Sequence, residues 1–209
     1  MEDYLDEKEQ WQQVLAWLRE QGPWILGGVA IALGVFGGWH FWQNRIQQRD
    51  LAAASRYQQL MDAFEHHDIV GGVQLADALV EAFPDTAYAD QANLAVARIQ
   101  VESQQLDQAA ARLQQVLAAT KDAELALIAR LRLARVQLAL GKADEALKTL
   151  DAAKPGAFAA RYAEVRGDAL LAKGDRDGAL KAYREARGAA ASTLDIGLLD
   201  LKIGELARS

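Results

Sequence analysis

The pattern of apolar and polar positions divides this chain sharply at residue 42. From Trp24 to Trp42 there is no charged residue: Trp24-Ile-Leu-Gly-Gly-Val-Ala-Ile-Ala-Leu-Gly-Val-Phe-Gly-Gly-Trp-His-Phe-Trp42. As a helix this run covers about 28 Å, close to the roughly 30 Å of a bilayer's hydrocarbon core. All five tryptophans fall at or before Trp42, with Trp11 and Trp17 ahead of the run and Trp24, Trp39 and Trp42 at its ends. Tryptophan favours the headgroup interface, where its ring is apolar and its N–H stays wet. The pattern predicts a transmembrane helix over 24–42. Ahead of it, Trp11, Leu15 and Leu18 share one face at helical spacing, so residues 4–20 read as a short amphipathic helix within an acidic tail over 1–23. Beyond residue 42 the pattern changes to repeated amphipathic helices.

Those helices recur with a fixed internal register. Gly141-Lys-Ala-Asp-Glu-Ala146-Leu-Lys-Thr-Leu150 matches Gly174-Asp-Arg-Asp-Gly-Ala179-Leu-Lys-Ala-Tyr183, and also Gln104-Gln-Leu-Asp-Gln-Ala109-Ala-Ala-Arg-Leu113. Gly71-Gly-Val-Gln-Leu-Ala76-Asp-Ala-Leu-Val80 reads as a fainter fourth copy. Glycine suits a left-handed turn that ends one helix of a pair. The alanine allows the second helix close, and the residue four further on fills the next core layer on the same face. Seven residues before the turn, Ala97, Ala134 and Gly167 are again small. The wider step between the second and third copies predicts a longer linker near Lys121–Glu124.

This pattern resembles the tetratricopeptide repeat, with a period of about 34 residues. The fold class expected is all-α: one N-terminal transmembrane helix, then a tetratricopeptide-like α-solenoid of about four helix pairs over 43–209, closed by a capping helix near 193–207. The cap covers the last apolar face of the array. The first solenoid helix is expected to leave the span without a break, because no glycine or proline intervenes between Trp39 and Phe64.

A repeat array presents a concave face to a protein or peptide. Its expected lining is Leu94, Arg98 and Val101, then Leu131, Arg135 and Leu138, then Glu164, Asp168 and Leu171. Arg98 and Arg135 occupy equivalent positions one unit apart and are placed to reach a carboxylate or to lie over a solvated groove. No Lys/Asn clamp for C-terminal peptides is recognisable. Within the span, Ala30, Gly34 and Gly38 form a small-residue face on which another membrane helix packs closely.

Composition and charge narrow the function. Alanine and leucine dominate, glutamine is frequent and there are only three prolines, as an all-helical domain requires. The net charge of −6 arises mostly before residue 43, and from Gln43 onward 21 basic residues meet 23 acidic ones, so no nucleic-acid footprint exists. An acidic start, a long apolar run and no nearby Ala-x-Ala point to an uncleaved signal-anchor. Lys8 and Arg19 on one flank against Arg45, Arg49 and Arg56 on the other leave orientation undecided by charge. No cysteine is present, which removes disulfides and thiol chemistry. His66-His67-Asp68 lacks the further ligands a metal site needs and reads as a solvated turn. The glycines of the apolar run follow no strand, which excludes a phosphate loop. We expect no enzyme activity, no metal and no cofactor.

At the level of the whole chain, the sequence resembles the ancillary subunit family of the bacterial Sec translocon. The resemblance rests on Glu9, Trp11 and Trp17-Leu18 in a short acidic start, on one glycine-rich span, on an Arg/Gln-rich exit helix and on degenerate tetratricopeptide repeats. It implies an adaptor in the inner membrane with a cytoplasmic N-terminus and a periplasmic repeat domain. The implied partners are the Sec translocon, a membrane-anchored periplasmic chaperone, exported polypeptides and the lipid bilayer. Composition alone leaves open a membrane-tethered scaffold for cytoplasmic regulators or for envelope-assembly machinery.

Overall fold

The apolar periodicity is realised as helices throughout. The computed structural model describes the backbone of residues 3–189 and 196–208; side chains at 3–10, 13, 14, 16, 18–20, 22, 23, 25, 26, 29, 30 and 208 lie outside the described residues. The helices are α1 (Asp3–Glu65), α2 (Ile69–Ala82), α3 (Ala87–Glu102), α4 (Leu106–Ala119), α5 (Ala123–Ala139) and α6 (Ala143–Asp151). A 3₁₀ turn (Gly156–Phe158) then precedes α7 (Ala159–Ala172), α8 (Arg176–Gly188) and α9 (Ile196–Arg208). No strand occurs among the described residues. The chain divides into two units, Met1–Leu51 and Ala52–Ser209.

The first unit is the greater part of α1. Every described side chain between Trp11 and Leu51 is solvent-exposed, including Ile31, Leu33, Val35, Phe36, Trp39, Phe41 and Trp42. Trp39 and Trp42 pack edge to face at 6.2 Å. The amphipathic segment expected over 4–20 belongs to the same helix; its Trp11 and Leu15 are exposed, and the Leu18 side chain lies outside the described residues. Among the described residues no helix is long and apolar enough to cross a membrane. Ile25, Leu26, Val29 and Ala30, part of the apolar run, have side chains outside that description.

The second unit is a solenoid in which each helix packs on its sequence neighbours. Its interior is four small cores in succession. Leu60, Ala76, Leu79 and Val96 join the end of α1 to α2 and α3, and Leu94, Leu113, Val116 and Leu133 join α3, α4 and α5. Leu131, Leu150, Tyr162 and Val165 join α5, α6 and α7, and Ala163, Tyr183, Ala186 and Leu199 join α7, α8 and α9. The expected capping helix is therefore α9, which contributes a fully buried Leu199 to the last core.

Four identical turns set the register, and they correct the first copy. The left-handed residues are His67, Gln104, Gly141 and Gly174, with φ of 61°, 61°, 74° and 83°. After each, a backbone N–H donates five residues back: Asp68 to Ala63, Gln105 to Gln100, Lys142 to Gln137 and Asp175 to Leu170. This is the Schellman closure, which satisfies the last helical carbonyls. The first unit thus turns at His67, not at Gly71, which lies inside α2. Gly71 instead follows the cap: the Asp68 carboxylate accepts its N–H at 2.9 Å, as Asp175 accepts that of Gly178 at 2.9 Å. The expectation of a solvated turn at His66-His67-Asp68 is met, since all three are exposed. The longer linker expected near Lys121–Glu124 is absent. The connection there is only Thr120 to Asp122, and the extra residues lengthen α4 and α5.

Size is exchanged within each unit. Seven before the turn and nine after it stand Leu60 and Ala76, Ala97 and Leu113, Ala134 and Leu150, and Gly167 and Tyr183, all buried. A large residue on one helix is matched by a small one on its mate, which keeps the core volume constant.

Asp90, in the first turn of α3, is buried. Burial raises its pKa above the ordinary carboxylate range; a hydrogen bond with Thr120 opposes the shift, and the nearby Asp122 carboxylate adds to it. At low pH both folded and unfolded chains hold the proton. As pH rises the unfolded chain releases it first, so the folded state loses stability through and above the ordinary carboxylate range. Asp90→Asn is therefore expected to raise the urea midpoint at pH 7 and leave it nearly unchanged at pH 3. Equal midpoints for variant and parent at pH 7 would show that burial of this carboxylate costs nothing.

Candidate functional site

The expected groove residues do not all share one open surface. Arg98 and Val101 on α3 and Arg135 on α5 line a cavity of about 320 Å³ together with Arg132 and Glu102. Its floor is apolar: Ala97, Val101, Leu113 and Val136. Leu94 opens into a second cavity of about 550 Å³ between the end of α1, α2, α3 and α5, though it is itself only 8% exposed. Leu131 is buried in the α5–α6–α7 core, and Leu138 is partly buried against it. Their branched chains are needed to hold neighbouring helices together and are not free to face solvent. Leu171, on the last turn of α7, is 39% exposed.

Glu164 and Asp168 correct the expectation most clearly. They face not open solvent but α9. The Lys202 ammonium lies 3.3 Å from the Glu164 carboxylate and 2.7 Å from Asp168, over the Tyr183 ring at 5.2 Å. The Tyr183 hydroxyl donates to Asp168 at 2.8 Å. Burial first, and that hydrogen bond second, raise the Tyr183 pKa far above the ordinary phenol value. Arg135 approaches Glu164 from the other side at 3.8 Å. The fourth unit's inner face is therefore occupied by the cap.

Three residues of the inner face were missed. Tyr57, Met61 and Phe64 stand at the positions equivalent to Leu94, Arg98 and Val101 once His67 is taken as the turn, and all three line the larger cavity. The signal that would have found them is Asp68, whose capping of Gly71 repeats Asp175 and Gly178. Ile69, Leu94 and Ile99 lie beside them, with Glu65, His67 and Gln91 also lining this cavity. Arg98, Glu102 and Arg132 line both cavities, so the two adjoin along the groove, with the arginines gathered at the α3–α5 step.

Within the apolar run, a Cβ added at Gly34 or Gly38 would meet no atom within 4 Å. The Ala30 side chain, the third of that face, lies outside the described residues. Among the described residues no cluster of three or more His, Cys, Asp or Glu side chains is placed to hold a metal ion.

These features define a tetratricopeptide-repeat-like solenoid with an open groove over its first three units and a cap on its fourth. A family model described as a tetratricopeptide repeat-like domain matches residues 15–208. Two solved structures share the fold: MamA 41-end from Desulfovibrio magneticus RS-1 (TM-score 0.57, 13% identity, 75% of this chain and 89% of that one) and a MamA RS-1 ArsTM double mutant (TM-score 0.56, 14% identity, 75% and 94%). Relatives align over nearly the full length. The ancillary SecYEG translocon subunit of Escherichia coli K12 is 34% identical over 99% of this chain and all of its own. That of Haemophilus influenzae is 33% identical over 97% and 98%, and that of Aggregatibacter actinomycetemcomitans 30% over 97% and 98%. The chain belongs to the ancillary SecYEG translocon subunit family.

Proposed function

We propose that this chain is a non-catalytic adaptor at the inner-membrane protein translocon. The observation that carries the reading is its end-to-end similarity to ancillary SecYEG translocon subunits, spanning both the apolar run and the repeats. Residues 24–42 anchor it in the bilayer. In support, the described apolar side chains of the run are exposed around the helix, which in water would leave a large unsatisfied apolar surface. The face of Ala30, Gly34 and Gly38 receives a helix of the translocon or of a partner; in support, among the described residues no atom lies within 4 Å of a Cβ placed at Gly34 or Gly38, and small residues let helices approach in lipid. The N-terminal tail is cytoplasmic and the repeat domain periplasmic, where its groove holds a membrane-anchored chaperone or a newly exported chain.

Topology is the first test. The chain has no cysteine, so Ser209→Cys provides one reactive site. In cells with a permeabilised outer membrane, a maleimide that does not cross the inner membrane is expected to label this variant. Labelling only after inner-membrane lysis would place the repeats in the cytoplasm, and the tethered-scaffold reading would replace the export role. Association is then checked by co-purification of the full chain with SecYEG from detergent-solubilised membranes.

A further inference from the structure

The inner face of the solenoid carries a ladder of alternating charge that breaks at one step. From α5 to α7, Arg135 meets Glu164 at 3.8 Å. From α7 to α9, Glu164 and Asp168 meet Lys202 at 3.3 and 2.7 Å. Each of these steps places a base on one helix against an acid on the next. Between α3 and α5 the rule fails. Arg98 faces Arg132 and Arg135 across the 320 Å³ cavity, and α5 supplies no acid. Glu102, which Arg98 already engages along its own helix at 2.8 Å, is the only carboxylate lining that cavity; Glu65 at the end of α1 lines the adjoining larger one and pairs with neither Arg98 nor Arg132 among the described residues. Arg132 makes no ion pair or hydrogen bond among the described residues. Arg98 and Arg135 each hold one carboxylate, but their side chains are 76% and 46% exposed, which leaves the remaining N–H groups of each open to a second.

Three guanidinium groups around a cavity lined by one carboxylate leave an excess of positive charge that favours an acidic partner. Guanidinium groups bind carboxylates in paired, charge-assisted hydrogen bonds, and the floor of Ala97, Val101, Leu113 and Val136 offers room for one aliphatic side chain. We infer that the missing acid is supplied by a partner: the α3–α5 step of the groove binds an acidic peptide segment whose carboxylates engage Arg98 and Arg132 while a neighbouring apolar side chain enters the cavity. The inference rests on the adaptor reading and specifies the chemistry of the segment its groove accepts.

The test uses the full chain in a nonionic detergent. The probe is a fluorescein-labelled nonapeptide with a central leucine flanked by aspartates and glutamates. One comparison peptide carries asparagine and glutamine at those positions, and another carries lysine. Anisotropy titrations are expected to show the acidic peptide binding about tenfold or more tightly than the neutral one, and weakening as salt is raised. Arg98→Glu combined with Arg132→Glu, both exposed and outside the cores, is expected to weaken the acidic peptide about tenfold or more and to strengthen the lysine peptide. Equal affinity for acidic and neutral peptides overturns the inference, as does an acidic-peptide affinity untouched by the double reversal or no binding at all. The adaptor reading fails separately: co-purification with SecYEG in the face of a negative peptide result leaves it standing, and loss of co-purification removes it whatever the peptides do.

Discussion

Leu150→Ala is expected to cost the repeat domain about 3 kcal/mol, the larger part of what a marginally stable domain has to lose. α6 is nine residues long, Ala143 to Asp151. A helix of that length is not stable alone, so its structure depends on what it buries. It buries only Ala146 and Leu150, both fully. Leu150 sits among Leu131, Ala134, Tyr162 and Val165, which come from the helices before and after it. Truncation removes the transfer free energy of the side chain and leaves a cavity those helices cannot close without losing their own contacts. In a solenoid the damage is local, since each unit is held by its neighbours. Hydrogen exchange should accelerate in α6 more than in α3. Leu198→Ala, at a position 46% exposed on α9, serves as the control and should stay within about 0.5 kcal/mol. Urea unfolding of the full chain checks both; a cost below about 1 kcal/mol for Leu150→Ala would mean that α6 is not anchored there.

Gly167→Ala is expected to destabilise by about 2 kcal/mol, although alanine in a helix interior normally gains close to 1 kcal/mol over glycine. The reversal comes from Tyr183. A Cβ on Gly167 would overlap the edge of its ring. The ring cannot retreat, because it is 1% exposed and its hydroxyl is tied to Asp168, itself tied to Lys202. The chain contains the compensating solution twice, in Ala97 with Leu113 and Ala134 with Leu150. Gly167→Ala made in a Tyr183→Leu background is thus expected to be neutral or stabilising, giving a coupling of about 2 kcal/mol in a double-mutant cycle. Were Gly167→Ala to stabilise in both backgrounds, the exchange of size between these two positions would not be a packing constraint.

Most of the fold was legible because repetition averages out local ambiguity. Ala109, Ala146 and Ala179 are each fully buried, as their common register requires. Reading glycine as the mark of the turn misplaces the first unit. At Gly141 and Gly174 it is that mark, but at Gly72 it makes room for the Phe64 ring, and the left-handed residue is His67. A glycine that relaxes the backbone and one that admits a neighbour look alike in a sequence. The four-residue error moves one full turn along α1 and hides Tyr57, Met61 and Phe64 on the inner face. Arg98 and Arg135 lie on the inner face where the repeat register puts them, lining one cavity. Arg132 lines the same cavity from a position outside the three by which the repeat register traces the inner face.

The sequence by itself determined the helices, the small residues where they cross, the existence of a cap and the uncharged run, since each follows from local period or from repetition of one unit. Tertiary structure decided which inner-face charges are spent and which remain. Glu164 and Asp168 looked as available as Arg98, yet α9 brings Lys202 to them across more than 30 residues of chain. A Coulomb interaction depends on distance in space, and only the packing of α9 against α7 and α8 creates that proximity.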